Sequence, residues 1–329
     1  MASKRDAAAI AEFVHGLPKE LHLGARRAWW TQRIFRFDDV RNVASILRRG
    51  AILSRERCDL AGVEYHDAAN REIIDVTEYA HSYVRLYFRP LTPTQYRMEG
   101  IKARAEVTAT REHCPVPVFL LFEATKLLST EGILFSNGSV ARRGRYEIGD
   151  SVEFLRSIPF AVVYHEGTIS GGQAEKSEIV FRRHAEVLIR DELPLDALHR
   201  VVCRTGPERD TLLYLLGDDA GRFEDIIQIA PPGIALFYRR GMFVEGYRLI
   251  NGRLYFQMPV RAHSYATVLR VFDPNTGREI ARRERPDARL SGFWHIALVG
   301  LPKRVGVELT IEGALAFAGV ITQQEVLEG

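Results

Sequence analysis

The segment Phe181–Arg190 constrains the fold of this chain most strongly, because it combines a strand-like alternation with one carboxylate among cationic side chains. In a β-strand successive side chains point to opposite faces. One face is then apolar and predicts burial in a core, with Ala185, Val187 and Ile189. The other face carries the charged groups and is closed by a leucine, with Arg182, His184, Glu186 and Leu188. Such a strand can hold an acid rigidly in an active site, but the pattern alone fits better an edge strand on which Glu186 is one more surface charge.

Segments upstream predict the rest of a mixed α and β domain. Arg33–Phe37 reads as a short strand, after which one of the two aspartates in Asp38–Asp39 caps a helix that Gly50 ends. Tyr83–Arg89 alternates apolar and polar residues as a half-buried strand does. Val116–Phe122 is apolar almost throughout, which is typical of a central strand buried on both faces.

The chain beyond about residue 230 has a different pattern. Pro231-Pro232-Gly233 is typical of a linker, and short strands follow it at intervals of about 8–12 residues. Asp273–Gly277 has the composition of a tight hairpin turn. These features predict a small antiparallel β-sandwich. We therefore expect a first domain at residues 1–230, with an N-terminal helical extension at 1–30, and an accessory domain at 231–329.

The composition is that of an ordinary globular protein. Of the 329 residues, 46% are hydrophobic and 26% are charged, which is enough for two domains with cores. The formal net charge is +3 and the sequence pI is about 8.7, and most of the basic residues are Arg. Arginine binds phosphate with two hydrogen bonds and stacks on bases, which fits a nucleotide or nucleic-acid partner. An Arg-rich proteome would give the same bias without functional meaning.

Cysteine spacing and the absence of long apolar runs indicate the cellular compartment in which the protein is expected. Cys58, Cys114 and Cys203 lie far apart, without Cys-x-x-Cys or Cys/His spacing, so neither a disulfide framework nor a metal site is expected. The N-terminus lacks the pattern of a signal peptide, and no window approaches the roughly 18 apolar residues of a membrane span. The sequence predicts a soluble cytoplasmic protein without a membrane partner. It also lacks Gly-x-Gly-x-x-Gly, which counts against a Rossmann dehydrogenase.

Four segments, taken in order, resemble the DarT family, the ADP-ribosyltransferases that modify bases of single-stranded DNA with NAD⁺. They comprise a strand with a capped helix, a strand running into a helix, a tight turn, and a final strand, at Ile34–Gly50, Tyr83–Tyr96, Ser136–Ser139 and His184–Ile189. The match spans about residues 33 to 215, and its specificity lies in the ordered set rather than in any one motif. The resemblance implies an α+β fold with an ADP-ribosyltransferase-like split mixed sheet and flanking helices, followed here by the β-sandwich.

The resemblance also implies roles for individual residues. Glu186 matches the catalytic glutamate of the family. Arg71 matches, across a loop, an arginine that contacts the phosphates or ribose of NAD⁺, and we expect it to act in catalysis as well as in binding. The residues expected at the NAD⁺ site are Arg36, Asp38, Asn42, Arg71, Tyr87 and Tyr96. Two of them depart from the family, because Arg36 stands where it has His and Asp38 where it has Thr. No metal is implied.

The chemistry of the expected reaction agrees with these residue types. Cleavage of the nicotinamide–ribose bond passes through an oxocarbenium-like state, which a carboxylate bound to the ribose 2′-OH stabilises. Arg36 and Arg71 would bind the pyrophosphate, although Arg36 could instead form a structural ion pair with Asp38 or Glu186. A group of arginines would either bind single-stranded nucleic acid or stay solvated in a loop: Arg142, Arg143, Arg145 and Arg182.

We therefore expect an enzyme that transfers ADP-ribose from NAD⁺ to a base in single-stranded nucleic acid, with DNA favoured over RNA, and releases nicotinamide. The resemblance further implies a toxin that acts in growth arrest or phage defence and that a partner antitoxin protein inhibits. Two alternatives remain open. One is a non-catalytic nucleic-acid or nucleotide-binding module that kept the fold, and the other is an ADP-ribosyltransferase that acts on protein or a small molecule.

Overall fold

A computed structural model describes residues 2–63, 65, 78–107, 113–142, 144–290, 292–297 and 301–323. The strands of its N-terminal part are β1 (Arg33–Asp39), β2 (Ala51–Leu53), β3 (Tyr83–Tyr87), β4 (Pro117–Glu123), β5 (Ile133–Ser136), β6 (Ile148–Gly149), β7 (Glu186–Arg190), β8 (Glu192–Pro194), β9 (Leu198–Cys203) and β10 (Ile227–Ile229). Eight of them form one sheet in the order β10-β9-β4-β1-β3-β7-β5-β6, and β2 and β8 form a separate pair. Because β10 runs parallel to β9 while β1 and β4 are antiparallel, the large sheet is mixed.

The large sheet is split between β1 and β3. Strand β1 pairs with β4 through seven positions, whereas a single paired position, Phe35 opposite Tyr87, joins β1 to β3. Strand β3 then pairs with β7 through five positions. The sheet is therefore continuous within each half and weakly joined between them, which confirms the predicted split mixed sheet.

Helices flank both halves of the sheet. They are α1 (Ala7–Glu20), α2 (Ala25–Ala28), α3 (Val40–Arg49), α4 (Arg55–Leu60), α5 (Glu78–His81), α6 (Pro93–Met98), α7 (Ala124–Leu128), α8 (Val152–Ser157), α9 (Phe160–Val163), α10 (Gln173–Arg182) and α11 (Gly206–Leu216). Helix α3 begins where the Asp39 side chain accepts a hydrogen bond from the Arg41 amide, and it ends at Gly50, whose φ of 79° is left-handed. Of the two aspartates considered as its cap, Asp39 is therefore the one that caps it.

Strand β4 lies inside the sheet and organises the main core. Its residues are buried at every position but the last, which confirms the predicted central strand. Phe119 of this strand shares one apolar core with Val43 of α3 and Leu212 of α11. Burial of large apolar side chains is the main favourable contribution to folding, so β4 and its neighbours fix the position of the elements beside it.

The strand predicted for Phe181–Arg190 is wrong in its first half. Helix α10 continues to Arg182, and strand β7 begins only at Glu186. The Arg182 guanidinium reaches back one helical turn to the Glu178 carboxylate, with 2.6 Å between Nε and Oε1. This contact is available on a helix and not on a strand, because residues four apart are neighbours only on a helix. The apparent alternation in the sequence thus spans a helix end and a turn.

The C-terminal part of the chain forms two antiparallel sheets. Its strands are β11 (Gly246–Ile250), β12 (Arg253–Met258), β13 (Tyr265–Phe272), β14 (Glu279–Ala288), β15 (Gly292–Ala297), β16 (Arg304–Ile311) and β17 (Ala314–Thr322). The sheet orders are β11-β12-β15 and β14-β13-β16-β17. Buried side chains of both sheets share a second core, for example Phe256 and Phe317, which confirms the predicted β-sandwich. Strand β11 was not predicted.

Buried polar contacts connect the two parts of the chain. Glu99 accepts hydrogen bonds from the backbone amides of Tyr238 and Arg239 and lies 3.5 Å from the Arg204 guanidinium. Leu236 belongs to the first core and Met242 to the second. The connecting segment is therefore anchored at both of its ends. Among the described residues, no helix is both long and apolar enough to cross a membrane.

Candidate active site

Glu186 is the first residue of β7 and lies opposite Tyr87 of β3. Its side chain is fully buried. The Arg85 guanidinium binds it through two nitrogens, with 2.5 Å from Nε to Oε2 and 2.8 Å from Nη2 to Oε1. Such a two-point ion pair fixes the orientation of the carboxylate as well as its charge. Glu186 is therefore a buried, ionically paired acid and not the surface charge that the isolated pattern favoured.

Arg85 was not among the predicted site residues. In β3, Arg85 lies two positions from both Tyr83 and Tyr87 and therefore on the same face as they do, and that face is the one that meets Glu186. The missing information was which strand lies beside β3, because the two residues are 101 positions apart in the sequence. Arg85 keeps about a quarter of its side chain exposed.

The turn that follows β5 supplies the remaining contacts of Glu186. The Val140 amide donates to Oε1 at 3.2 Å. The Ser136 hydroxyl accepts from the Glu186 amide at 3.0 Å and donates to the Gly138 carbonyl at 2.7 Å. A Cβ on Gly138 would lie 2.3 Å from the Phe181 ring, so any side chain at this position would have to displace that buried ring. The turn thus holds both the backbone and the side chain of Glu186.

We expect Ser136→Ala to loosen this turn without removing any charged group. The substitution leaves the buried Glu186 amide without its acceptor, which costs about 1–3 kcal/mol in the free energy of unfolding. Chemical denaturation measures this loss, and Ser157→Ala, whose hydroxyl is exposed and binds only within its own helix, is the matched control. Equal stability of the two variants would contradict the bridging role of Ser136.

The electrostatics around Glu186 keep its neighbours in defined protonation states. Burial opposes the charge of Arg85, but the Glu186 carboxylate outweighs it and raises the pKa of Arg85 above its ordinary value. Burial, together with the same carboxylate, raises the pKa of the Tyr87 phenol, which therefore keeps its proton. Burial lowers the pKa of His184 to about 4. Its Nδ1 lies 2.7 Å from the Val180 carbonyl, and its Nε2 accepts from the Thr94 amide, so His184 is a neutral structural group.

A second group of predicted site residues lies at the end of β1. The Arg36 guanidinium pairs with the Asp38 carboxylate at 2.6 Å, and the Asn42 side-chain amide donates to the same carboxylate at 2.6 Å. Arg36 also donates to the backbone carbonyl of Arg85 at 3.2 Å. The structure thus links Arg36, Asp38 and Asn42 through Arg85 to Glu186, across the split in the sheet. The sequence left open whether Arg36 forms an ion pair with Asp38 or with Glu186, and in the structure it pairs with Asp38.

The remaining predicted positions are more dispersed. Tyr96 on α6 is 46% exposed, its ring meets the edge of Tyr238, and the Arg240 guanidinium lies 3.9 Å from its centre. None of these contacts involves Glu186. Arg71 and Arg143 lie outside the described residues.

Two of the predicted nucleic-acid-binding arginines share one carboxylate. Arg145 and Arg182 both lie 2.6 Å from Glu178, and both guanidinium groups face the Phe181 ring. Arg182 also donates to the Asn137 carbonyl in the turn next to Glu186. Arg142 is exposed. These arginines border the Glu186 turn, with part of their charge balanced by Glu178.

The donors around Glu186 suit a ligand that carries phosphates and ribose hydroxyls. Arg36 and Arg85 each keep about a quarter of the side chain exposed, and the Tyr87 phenol and the Asn42 amide add neutral polar groups. Guanidinium groups bind phosphates, and carboxylates accept from hydroxyls. Within the described part of the chain, no group of three or more His, Cys, Asp or Glu residues could hold a metal ion.

Comparison with known proteins gives one family match. The family described as "ssDNA thymidine ADP-ribosyltransferase, DarT" matches residues 35–236, which is more than half of the chain. A search of curated proteins finds no match. Among solved structures, Thermus sp. 2.9 DarT in complex with ADP-ribosylated ssDNA is 15% identical, with a TM-score of 0.49, and the alignment covers 62% of this chain and 96% of that one. Thermosipho africanus DarTG in complex with ADP-ribose is 14% identical, with a TM-score of 0.47, over 66% of this chain and 53% of that one.

Proposed function

The chain belongs to the DarT family, and on this premise we propose that it transfers ADP-ribose from NAD⁺ to a thymidine base of single-stranded DNA and releases nicotinamide. One observation in the site supports the proposal most directly. Glu186, on the last strand of the matched set, is oriented by Arg85 at the split of the sheet, and the Arg36–Asp38–Asn42 group adjoins it.

In the proposed reaction, the bond between the ribose C1′ and the nicotinamide nitrogen breaks, and nicotinamide leaves with the bonding electrons. The ribose then carries positive charge, as in glycoside cleavage, and the Glu186 carboxylate stabilises that charge through the ribose 2′-OH. A ring nitrogen of the base forms the new bond to C1′ and loses its proton. Glu186 is the carboxylate at hand to accept that proton.

The hydrogen-bond capacity of Glu186 leaves room for the ribose hydroxyl. A carboxylate can accept about four hydrogen bonds. Arg85 donates two and the Val140 amide donates one, so one acceptor position remains, on Oε2. Since the side chain has no exposed surface, the ribose reaches it only when Arg85 or the turn after β5 shifts outward. Donor binding is thus coupled to a local rearrangement.

The residues at the end of β1 would hold the rest of the donor. We expect Arg36 and Arg71 to bind its phosphates, and Asp38 and Asn42 to bind ribose hydroxyls. Asp38 already balances much of the charge on Arg36. Arg36 would therefore orient a phosphate through hydrogen bonds and attract its negative charge only weakly. Tyr87 and Tyr96 would contact the aromatic rings of the donor, Tyr87 from beside Glu186 and Tyr96 from helix α6.

Covalent modification of bases in the DNA of the host would stop replication, so the biological role we propose is that of a toxin, in growth arrest or phage defence. A toxin that acts on single-stranded DNA must meet it in the cytoplasm, and its host needs an antitoxin protein as partner. An RNA target belongs to the same proposal as the less favoured substrate. The same site also suits a non-catalytic binding module, because the Glu186 carboxylate is buried and already paired.

Incubation of the purified chain with labelled NAD⁺ and a mixture of single-stranded DNA, RNA and cell protein tests the substrate class. We expect label on single-stranded DNA. Label confined to RNA or to protein would overturn the choice of substrate and retain the reaction. Binding of single-stranded DNA without label on any polymer and without nicotinamide release would favour the binding module.

A further inference from the structure

A cleft of about 790 Å³ opens beyond the end of β3, and arginine side chains dominate its charged groups. Its charged residues are Arg26, Arg89, Arg183 and Glu166, and Thr168 and Tyr238 also line it. Arg89 follows Tyr87 by two residues, and Arg183 precedes Glu186 by three, so both arginines are close in the chain to residues of the candidate active site.

Among the described residues, the two inner arginines of the cleft are buried without a carboxylate partner. Arg89 is 2% exposed and Arg183 is 6% exposed. Arg89 donates to the carbonyls of Pro90, Val163 and His165, at 2.9, 2.8 and 2.5 Å. Arg183 donates to the Gly167 carbonyl at 2.9 Å and to the His165 ring nitrogen Nδ1 at 2.6 Å. Among the described residues, no acidic oxygen lies within 4.0 Å of either guanidinium, and the buried Nε of Arg183 has no hydrogen-bond partner.

Glu166, the acidic side chain among the described residues of the cleft, already forms ion pairs. Glu166 lies 3.5 Å from Nε of Arg26 and 3.3 Å from Nε of Arg27. Burial, and then the proximity of Arg183, lowers the pKa of Arg89 to about 9, and burial lowers the pKa of Arg183. His165 accepts from Arg183 and adds no counter-charge. Buried cations are costly unless an anion pairs with them, so the cleft is built with positive charge that the described chain does not balance.

We propose that this cleft binds a phosphate group, held by Arg183 and Arg89 from inside and by Arg26 at the rim. Guanidinium groups with free N–H donors match phosphate oxygens, and Tyr238 offers an aromatic surface beside them, as sites for single strands do. The source of the phosphate rests on the proposed function. It is either the backbone of the DNA strand beside its target base or the pyrophosphate of the donor, which would then bind here instead of at Arg36 and Arg71.

The first test adds negative charge to the cleft without removing any packing. Thr168 is exposed at the cleft, so Thr168→Glu and the equally sized Thr168→Gln differ in charge alone. We measure binding of a labelled single-stranded DNA without NAD⁺, and binding of ADP-ribose without DNA, to the full-length chain. We expect Thr168→Glu to weaken one of the two ligands about tenfold relative to Thr168→Gln.

The second test removes a donor. We expect Arg183→Gln to weaken the same ligand about 10- to 100-fold, because a charge-assisted hydrogen bond is lost. If that ligand is DNA, the slope of log affinity against log salt also falls by about one, as for a lost phosphate contact. Arg209→Gln, which removes an arginine paired with exposed Glu224 outside the cleft, is the control.

The outcomes separate the two sources and do not depend on turnover. Loss of DNA affinity with ADP-ribose binding unchanged assigns the cleft to the strand, and the reverse assigns it to the donor pyrophosphate. Unchanged affinity for both ligands in Thr168→Glu and in folded Arg183→Gln would overturn the proposal. If Arg183→Gln does not fold, the two Thr168 variants decide. Since no readout requires ADP-ribosyl transfer, failure of the proposed enzyme activity would leave this result interpretable.

Discussion

Replacement of Glu186 by glutamine is expected to lower ADP-ribosyl transfer at least about 1,000-fold. Glutamine has nearly the shape of glutamate and can still accept from the Arg85 guanidinium, so the fold should survive. It lacks the negative charge that stabilises the developing cation on the ribose, and it cannot accept the proton of the attacking base. Transfer of label from NAD⁺ to single-stranded DNA measures the loss.

The control for this experiment lies close by in the chain. Glu192 on β8 is exposed, and Glu192→Gln should transfer label at the wild-type rate. Glu186→Gln should bind single-stranded DNA as the wild type does, because Glu186 is buried and offers no surface to the strand. A folded Glu186→Gln protein that retains more than about a tenth of the wild-type rate would exclude Glu186 as the catalytic acid.

The second large effect is expected at Arg85. Arg85→Met leaves the fully buried Glu186 carboxylate without its cation, which costs about 3 kcal/mol in the free energy of unfolding. Arg209→Met is the control, because the side chains of Arg85 and Arg209 are both 26% exposed. The partner of Arg209, Glu224, is 61% exposed, whereas Glu186 is fully buried. Arg209→Met should lose less than about 1 kcal/mol. Chemical denaturation of both variants gives the comparison.

A double-mutant cycle and a conservative variant assign the role of Arg85. The double variant Arg85→Met with Glu186→Met should lose less stability than the sum of the two single variants, because no charge is then left buried. Arg85→Lys keeps the charge but not the two-point contact, so we expect the fold to be retained and kcat to fall about 100-fold. KM for NAD⁺ should change less than kcat. Additive stability losses and an unchanged kcat in Arg85→Lys would show that the ion pair does not position Glu186.

Local pattern and order along the chain predicted most of the fold. The capped helix after β1, the apolar central strand β4 and the antiparallel tail each carry a signal within one short segment, so they could be read from the sequence. Glu186 could be proposed as the catalytic acid because its strand stands in a fixed order with three other segments. The prediction of a strand from residue 181 onward was wrong because the end of a helix and the turn after it resemble strand alternation over a few residues. On α10, Arg182 is stabilised by its ion pair with Glu178.

The partners of Glu186 and the arginine cleft could not be predicted in this way. Arg85 meets Glu186 only because β3 and β7 are neighbours, and Val140 contacts it only because the turn after β5 folds over the strand. The cleft joins Arg26, Arg89, Arg183 and Tyr238, which come from four distant segments. Arg89 and Arg183 each look like an ordinary polar position in the sequence. Their charges become significant only once it is known that they are buried and that, among the described residues, no carboxylate lies within 4.0 Å of them.

Mass spectrometry of the DNA shows whether this chain attaches ADP-ribose to a base, as we propose. A short single strand that contains one thymidine is incubated with the purified chain and NAD⁺, and nicotinamide is quantified in parallel. We expect the strand to gain a single ADP-ribosyl group on its thymine, with one nicotinamide released for each modified strand. We expect neither product with Glu186→Gln. An unmodified strand and no nicotinamide, from a folded chain that binds the strand, would contradict the proposed function.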